Sequence, residues 1–469
     1  MGKGFYVDVM ALHPEVTGSC NIVTIRFPNR KKVHFLVDCG LFQDEKYKSY
    51  NEELSFNPQN IDFCLVTHGH VDHIGRLPFI SSKGYSAPIY TTEDTKKIMH
   101  MSLNDSARVL RESAKRKKVR PLYTESDVSD VMNMVYGCGF NRPIQVMNNI
   151  EVTFFNNGHL FGASMILVKI SCHGEGVINL LFTGDYNKKN VFFDVDLLPS
   201  WIYQQPINII QEATYGYMNS SEIDRCFIPN VVKKIEEGGT VVIPVFSLGR
   251  MQEILYLLKK LENQGVIPKE IPIYIDGKLG IRYTLMCKNG EFKIREDMQD
   301  FLPDNIVFVD KSTRPDVITD KRCKVIVTTS GMGSYGPAQS YIPAYITNAN
   351  ALIHFTGYVA EGTLGRQLKE AKKGESVTIR GVLYKKRADV EYTSEFSAHA
   401  KADEMISFLK KFKHLNLVLV NHGETSSKEI FARRIEKEVK PRNVGILGRQ
   451  YFFRITPDGL STSKTSKFL

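Results

Sequence analysis

The sequence contains no pair of cysteines at the CxxC spacing that is typical of thiolate metal sites and redox motifs. Its eight cysteines are scattered along 469 residues, at positions 20, 39, 64, 138, 172, 226, 287 and 323. Cys39 and Cys64 lie in or beside apolar stretches, where cysteine packs as a small hydrophobic side chain. This distribution argues against a disulfide framework and predicts free thiols in a reducing compartment.

Long hydrophobic runs are also missing. The first sixteen residues carry Asp8 and His13 where a signal peptide needs an unbroken apolar core, and no apolar run elsewhere reaches the ~20 residues that span a bilayer. We therefore expect no membrane partner. The expected location is cytoplasmic, or nuclear if the source is eukaryotic.

Acidic residues are fewer than basic ones, 51 against 61, which gives a formal net charge of +10. Such a balance favours a polyanionic partner. The densest basic cluster spans residues 115–118, with Arg111 and Arg120 flanking it. Two interpretations of this cluster stay open: the solvated face of a helix over residues 95–118, and a nucleic-acid patch or targeting signal.

The most informative stretch is THGHVDHIGRLP at residues 67–78, which follows the apolar run 61–66. Imidazole and carboxylate ligands without thiolate suit zinc, or a neighbouring transition ion, in a hydrolytic site. His68 and His70 are two positions apart on a predicted strand end and so point the same way. Asp72 and His73 are offset from them. Four ligands exceed what one catalytic ion takes from a single segment, so the pattern predicts two ions and disfavours a surface histidine cluster.

Other predicted strands end in similar residues. Apolar segments run into Asp38, His159, Asp185 and His422. Each of these residues alone is most simply a turn or loop side chain. Together they predict that several strands deliver polar side chains to one edge of a sheet, where loops carry chemistry over a rigid scaffold.

The middle of the chain has a different pattern, in which strand and helix signals alternate from about residue 240 to 365. Alternation of this kind predicts a largely parallel, doubly wound sheet. Glycine-rich loops at 329–333 and 357–366 could offer backbone amides to phosphate oxygens. Because strand-rich character returns after residue 376, we expect an inserted domain over 212–375. The metal-binding domain would then be built from residues 1–211 and 376–469.

Motifs along nearly the whole chain resemble those of one family. HGHVDH at 68–73, GHLFGAS at 158–164 and FTGD at 182–185 are similar to the motifs of the metallo-β-lactamase superfamily. EATYG at 212–216, IPVFSLGRMQEIL at 243–255, TSGM at 329–332, AEGTLGR at 360–366, EFSAH at 395–399 and NHGE at 421–424 resemble its β-CASP branch of RNA-processing nucleases. That branch includes the 73-kilodalton cleavage and polyadenylation factor subunit and bacterial and archaeal ribonucleases. The resemblance implies an α/β fold, an αββα metallo-β-lactamase sandwich with an inserted doubly wound β-CASP domain.

The resemblance also implies roles for individual residues. Two Zn²⁺ per chain are expected, one held by His68, His70 and His159, the other by Asp72, His73 and His422, with Asp185 bridging them. Glu212 and His399 correspond to the family's helper residues, with the glutamate orienting the histidine as general acid, and Asp72 is counted with them as catalytic. Asp38 is implied to support the ligands without binding metal. Candidate phosphate or RNA contacts are Ser247, Arg250, Ser330, Gly331, Gly362 and Arg366.

The implied activity is hydrolysis of RNA phosphodiester bonds by a hydroxide that two metal ions activate. An endonuclease is favoured and a 5′-3′ exonuclease stays open, with single-stranded RNA as the expected partner and a homodimer as an open alternative to the monomer. A histidine at position 422 is typical of RNA-acting members of the branch. The alternatives are a DNA nuclease of the same fold and a catalytically silent subunit that binds RNA or protein.

Three features depart from the family pattern. The glycine-rich GxGxxVGxSC-like opening is LHPEVTGSC here and keeps only Gly18, Ser19 and Cys20, so substrate contacts near the first loop are not carried over. Gly69 replaces a bulkier residue between the first two histidines, which we expect to matter less. The chain also ends soon after the metal-binding motifs, so the resemblance does not imply membership of the large eukaryotic cleavage complex.

Overall fold

The computed structural model describes residues 4–29, 31–195, 198–357, 359–449, 451–459 and 461–465. The chain folds into two compact units. Unit 1 comprises residues 1–190, 195–220 and 398–469, and unit 2 comprises residues 191–194 and 221–397. Each unit has its own sheets and its own hydrophobic core, and each is described by itself below.

The first part of unit 1 contains eleven strands and four helices among the described residues. The strands are β1 Tyr6–Ala11, β2 Asn21–Arg26, β3 Lys32–Val37, β4 Phe63–Leu65, β5 Ile89–Thr92, β6 Val135–Cys138, β7 Ile144–Met147, β8 Ile150–Asn156, β9 Ser164–Cys172, β10 Gly176–Phe182 and β11 Ile207–Glu212. The helices are α1 Val71–Ile74, α2 Leu77–Ser82, α3 Glu93–Lys117 and α4 Glu125–Asn133.

Unit 2 follows in the chain. Its strands are β12 Thr240–Pro244, β13 Ile273–Asp276, β14 Ile306–Val309, β15 Lys324–Thr328, β16 Ala351–Phe355, β17 Ser376–Ile379, β18 Val382–Lys385 and β19 Asp389–Tyr392. Its helices are α5 Phe227–Glu236, α6 Arg250–Asn263, α7 Lys278–Lys288, α8 Arg314–Thr319, α9 Ala338–Tyr345 and α10 Leu364–Glu370. The chain then returns to unit 1 with α11 Ala402–Leu409, β20 Leu415–Asn421, α12 Thr425–Glu438, β21 Asn443–Ile446, β22 Tyr451–Ile455 and β23 Ser461–Thr465.

Unit 1 is a sandwich of two sheets. One has the strand order β23-β22-β1-β2-β3-β4-β5-β6 and the other β21-β20-β11-β10-β9-β8-β7. Their facing surfaces share one core, in which Val9, Phe35 and Leu65 from the first sheet pack with Phe154 and Leu180 from the second. The outer face of the first sheet is covered by α1 to α4, and that of the second by α11 and α12. The architecture is therefore αββα, which confirms the predicted fold class.

The longest helix, α3, has clear sequence reasons for its boundaries. The Thr92 hydroxyl accepts a hydrogen bond from the Thr95 N–H at 3.2 Å, and acidic Glu93 and Asp94 occupy the first turn. Basic residues fill the last turn, and Lys118 caps it in the left-handed conformation at φ 56°. The acidic first turn and the basic last turn both stabilise the helix through its dipole, and the Thr92 cap satisfies one of its free N–H groups. One face of α3 is buried, with Ile98, Met99, Leu103, Ala107 and Ala114 at 5% exposure or less.

Unit 2 contains a six-stranded sheet of order β14-β13-β15-β12-β16-β19, in which every pairing is parallel. Buried side chains from α5 and α6 pack on one face, and those from α9 and α10 on the other. This is the doubly wound arrangement that alternating strands and helices predict.

The proposed domain limits at residues 212 and 376 stay predictions. Among the described residues, none of the helices combines the length and the apolar composition that crossing a bilayer requires.

Candidate active site

The candidate site lies where strands of both unit 1 sheets end. The seven predicted metal ligands follow four strands: His68, His70, Asp72 and His73 come after β4, His159 after β8, Asp185 after β10 and His422 after β20. His70 is the N-terminal cap of α1, and this short helix carries Asp72 and His73. Because the ends of paired strands meet at one edge of a sheet, residues that are far apart in sequence converge here.

Three histidines form the first group. The Nε2 atom of His68 lies 3.1 Å from Nδ1 of His70, and Nε2 of His159 lies 3.2 Å from the same His70 atom. The three ligand atoms lie within 4.8 Å of one another. These three histidines are therefore close enough together to bind one of the two predicted ions.

Asp72, His73 and His422 form the second group. The two imidazole Nε2 atoms of His73 and His422 are 3.2 Å apart, and Asp72 Oδ2 lies 4.0 Å from His73 Nε2. This group too has its ligand atoms within 4.8 Å of one another. Each half of the predicted ligand set is therefore assembled in the fold.

Asp185 lies between the two groups. Its Oδ2 atom is 3.8 Å from His68 Nε2 and 3.3 Å from His73 Nε2, while its Oδ1 atom is 3.1 Å from His422 Nδ1. The carboxylate thus faces both groups at once, as the predicted bridging role requires.

The protonation of these residues fits a metal site. Burial lowers the pKa of His70 to about 4 and holds the pKa values of His68, His159 and His422 well below the usual range of imidazole. These rings are therefore neutral at neutral pH, which is the form that binds metal. The nitrogen atoms of the first group approach one another to 3.1 and 3.2 Å, so a single cation could be bound by all three rings.

An unpartnered buried atom points to the same conclusion. Asp185 Oδ1 is buried and makes no hydrogen bond among the described residues, although it lies 3.1 Å from His422 Nδ1. Burial raises the pKa of Asp185 above its ordinary value, and the neighbouring His73 and His399 offset this effect only in part. Nitrogen and oxygen donors without thiolate are the donor set of a hydrolytic zinc site, so these residues fit a bound metal.

Asp38 orients one of the histidines. Its Oδ2 atom accepts hydrogen bonds from His73 Nδ1 and from the Thr67 hydroxyl, both at 2.8 Å, and its Oδ1 atom accepts one from the Thr67 N–H. Burial favours neutral His73, but the charges of Asp185 and Asp38 outweigh it and raise the pKa of His73 well above the usual value. With Nδ1 occupied by Asp38, the Nε2 atom of His73 faces the ligand cluster.

Glu212 and His399 form a second feature at the edge of the cluster. The His399 Nδ1 atom lies 3.1 Å from both carboxylate oxygens of Glu212. Glu212 also accepts hydrogen bonds from the N–H groups of Tyr186 and Thr214. On the other side of the ring, His399 Nε2 lies 3.9 Å from Asp185 Oδ2. The imidazole therefore connects a buried carboxylate with the metal-ligand cluster.

The charges of this pair support each other. Burial alone would lower the pKa of His399, but the negative charges of Glu212 and Asp185 raise it above the ordinary value. Burial would likewise raise the pKa of Glu212, yet His399 lowers it. The His399 side chain is 19% exposed, against 5% or less for His68, His73, His159, Asp185 and His422. His399 is thus more accessible to a substrate than these five ligand side chains, as a proton donor must be.

Several supporting residues were not identified from the sequence. The Asn157 amide donates to the Thr183 and Asp185 carbonyls and its oxygen accepts from the His159 N–H, so it ties two ligand loops together. The Thr214 hydroxyl lies 3.3 Å from His422 Nδ1. His13 is buried with its ring 6.4 Å from that of His422. Apart from the contact between Asn157 and His159, these interactions join segments that are distant in the sequence, so local patterns do not indicate them.

Gly69 is more constrained than the sequence suggested. A Cβ atom at this position would lie 2.3 Å from Ile98 Cγ2 of α3. The segment that carries His68 and His70 therefore packs directly against the second turn of that helix. A bulkier residue between the two histidines would need the Ile98 side chain to move.

The six candidate RNA contacts all belong to unit 2. Ser330 and Gly331 lie in the loop after β15, Ser247 precedes α6, and Gly362 precedes α10. Arg250 is only 7% exposed and pairs with Glu253, while Arg366 donates to Glu370 at 2.6 Å. Their roles in binding RNA stay predictions.

Three family models match successive parts of the chain. Residues 29–194 match the metallo-beta-lactamase superfamily domain, residues 251–368 the Beta-Casp domain, and residues 383–445 the Zn-dependent metallo-hydrolase RNA specificity domain. The first and third fall largely in unit 1, and the second falls in unit 2.

Curated relatives match over most of the chain. An RNase J-like protein of Methanocaldococcus jannaschii is 30% identical over 423 residues, which cover 87% of this chain and 91% of the relative. The transcription termination factor FttA of Methanosarcina mazei is 29% identical and covers 93% of this chain and 70% of its own length. Integrator complex subunit 11 of Danio rerio is 29% identical, and the match covers 90% of this chain and 70% of the relative.

The predicted family, fold and enzyme class are confirmed together by these matches and by the αββα sandwich. The chain belongs to the β-CASP branch of the metallo-β-lactamase superfamily, a family of metal-dependent nucleases.

Proposed function

We propose that the protein is a zinc-dependent ribonuclease that uses two zinc ions and a histidine general acid to hydrolyse phosphodiester bonds in single-stranded RNA. The observation that carries this proposal is the convergence of seven metal-competent side chains beside the Glu212–His399 pair. A metal site alone would fit many hydrolases. The added proton donor fits a reaction with a poor leaving group.

The seven ligands would hold the ions in two groups that share Asp185. His68, His70 and His159 form one group, and Asp72, His73 and His422 form the other. When bound, a pair of zinc ions supplies an acidified water and stabilises negative charge on the phosphate oxygens. Asp38 keeps the His73 ring in the tautomer that presents Nε2 to the second group.

His399 would protonate the departing sugar oxygen. Its Nδ1 is fixed by Glu212, so Nε2 is the atom available to carry a proton toward the substrate. The carboxylate stabilises the imidazolium form, which is the form that can donate. The buried ligands around it exclude bulk water and hold the reacting groups in place.

RNA is the substrate that the comparisons favour. Residues 383–445 match a domain described by RNA specificity, and one relative is described as RNase J-like. The histidine at position 422 agrees with the pattern of RNA-acting members of the branch. An endonuclease remains the favoured mode, and the homodimer and the cytoplasmic location remain proposals.

The test of the general acid is His399→Ala. The variant should keep its zinc, because His399 is not among the seven ligands, yet it should cleave a labelled single-stranded RNA about 100-fold more slowly. His414→Ala, an exposed histidine of the same unit, is the matched control and should cleave at the normal rate. Zinc is measured by plasma mass spectrometry and cleavage by gel electrophoresis.

Other outcomes would count against the proposal. Unchanged cleavage by the His399 variant would remove its role as the acid. Faster cleavage of a DNA of the same sequence would assign the enzyme to DNA, and purified protein with less than one zinc per chain would contradict the two-metal centre.

A further inference from the structure

One face of α3 carries a line of side chains without a single acidic residue. Its members, which we call the α3 stripe, are spaced three or four positions apart and so lie on one side of the helix. They are Lys97, His100, Asn104, Arg108, Arg111, Lys115 and, at the C-terminal cap, Lys118. Five of the seven are cationic at neutral pH, and the helix buries its opposite face.

The acids beside the stripe do not neutralise it. Lys97 pairs with Asp94, Arg108 with Asp105 and Glu112, and Arg111 with Glu125. The basic partners have side-chain exposures of 46%, 39% and 47%. Exposed pairs of this kind contribute little to stability, so a phosphate can take the place of the carboxylate at little cost.

The far end of the stripe is more strongly basic. Lys115, Arg116, Lys117, Lys118 and Arg120 are all exposed, and none of the ion pairs among the described residues involves them. Cations in a last turn stabilise a helix through its dipole, which gives a structural reason for residues 115–117. That reason does not extend to the cations of the earlier turns or to Arg120, which lies beyond the helix.

The first two turns of α3 contact loops of the candidate active site. The hydroxyls of Thr92 and Thr95 donate to the Gly162 carbonyl at 2.6 and 2.9 Å, which ties the start of α3 to the loop that carries His159. Ile98 packs against Gly69, between His68 and His70. The helix that carries the stripe therefore starts beside two of the metal-ligand segments within the same unit.

We propose that the α3 stripe is a track for the phosphate backbone of single-stranded RNA, which leads from the active site to the basic cluster at residues 115–120. At 1.5 Å per residue the 25 residues of α3 span about 37 Å. A stacked strand rising ~3.4 Å per nucleotide covers that distance with about eleven nucleotides. The proposal rests on the ribonuclease function proposed above and adds a requirement on RNA length.

The test compares long and short RNA on the zinc-loaded enzyme. In Lys115→Gln/Lys118→Gln, kcat/KM for an RNA of about thirty nucleotides should fall about tenfold through KM, while a pentanucleotide should be cleaved as before. The slope of log kcat/KM against log salt should become shallower by about 1.4 for the long RNA, because two phosphate contacts are lost. Glutamine is a good helix former and replaces the charge with a neutral polar group at exposed positions, so folding should be retained.

Two control variants separate charge from other effects. Lys115→Arg/Lys118→Arg keeps both charges and should behave as the unmodified protein. Arg433→Gln/Lys437→Gln removes two exposed charges from α12 and should leave both RNAs unaffected.

The remaining outcomes are decisive as well. An unchanged kcat/KM for the long RNA, or equal losses on both RNAs, overturns the track. If the unmodified protein cleaves neither RNA, the proposed function fails, and this result differs from a failure of the track alone, in which both RNAs are cleaved.

Discussion

The two halves of the candidate site balance their charges in different ways. The metal-ligand cluster gathers carboxylates with imidazoles, four of which are held neutral by burial, and the buried Asp185 Oδ1 makes no hydrogen bond within the described residues. The Glu212–His399 pair is complete by itself, since each group stabilises the charged form of the other. One half therefore depends on a bound cation and the other does not. Substitutions should affect zinc content only in the first half.

Asp185→Asn should have the largest effect. It removes the carboxylate that faces both ligand groups, so zinc occupancy should fall and RNA cleavage should drop on the order of 1,000-fold. Removing zinc with a chelator should lower the melting temperature of the unmodified protein but barely change that of the variant, because ligand binding stabilises only a site that binds. Zinc analysis and thermal unfolding measure both effects. Asp130→Asn, an exposed residue, is the control, and full zinc content in the Asp185 variant would contradict a bridging carboxylate.

Glu212→Gln should have the next largest effect, on the order of 100-fold in cleavage rate and with zinc retained. The amide cannot stabilise the imidazolium form of His399, so the loss should not exceed that of His399→Ala. The double variant should be no slower than His399→Ala alone, because the two residues act as one unit. Single-turnover rates of the three variants provide the measurement, with Glu436→Gln as an exposed control. A double variant much slower than either single one would show that the residues act independently.

Asp38→Asn should have the smallest effect and should appear on the metal side. It weakens the hydrogen bond that orients His73, so zinc affinity should fall about tenfold while the metal-saturated rate changes little. Competition with a fluorescent zinc chelator measures the affinity. If affinity were unchanged and the saturated rate fell instead, Asp38 would belong with the proton-donating half of the comparison.

Much of the fold could be anticipated from local patterns. The parallel sheet of unit 2 follows from alternating strand and helix signals, and the boundaries of α3 follow from Thr92, the acidic first turn and the basic last turn. The ligand segment at residues 67–78 was informative for the same reason, because four ligands lie within six positions. His159, Asp185 and His422 were less certain individually. Their positions after strands placed them at one sheet edge, and the resemblance to a family assigned each of them to a metal ion.

Contacts between distant segments could not be obtained in this way. Asn157 bonds to the loops of both His159 and Asp185, His13 lies near a ring more than four hundred positions away, and Gly69 is needed for the close approach of Ile98. Sequence periodicity describes the two faces of one element. It does not state which other element covers them.

The sequence by itself determined the types of ligand, the absence of thiolate pairs, the basic character and the order of strands and helices. The tertiary structure decided which carboxylate faces both ligand groups, which one orients His73, and that α3 starts at the active site and ends in a basic cluster. The physical reason is that donor chemistry and local propensity belong to single residues and short segments. Distances, burial and the resulting pKa shifts arise only when the strand ends of two sheets are brought to one edge.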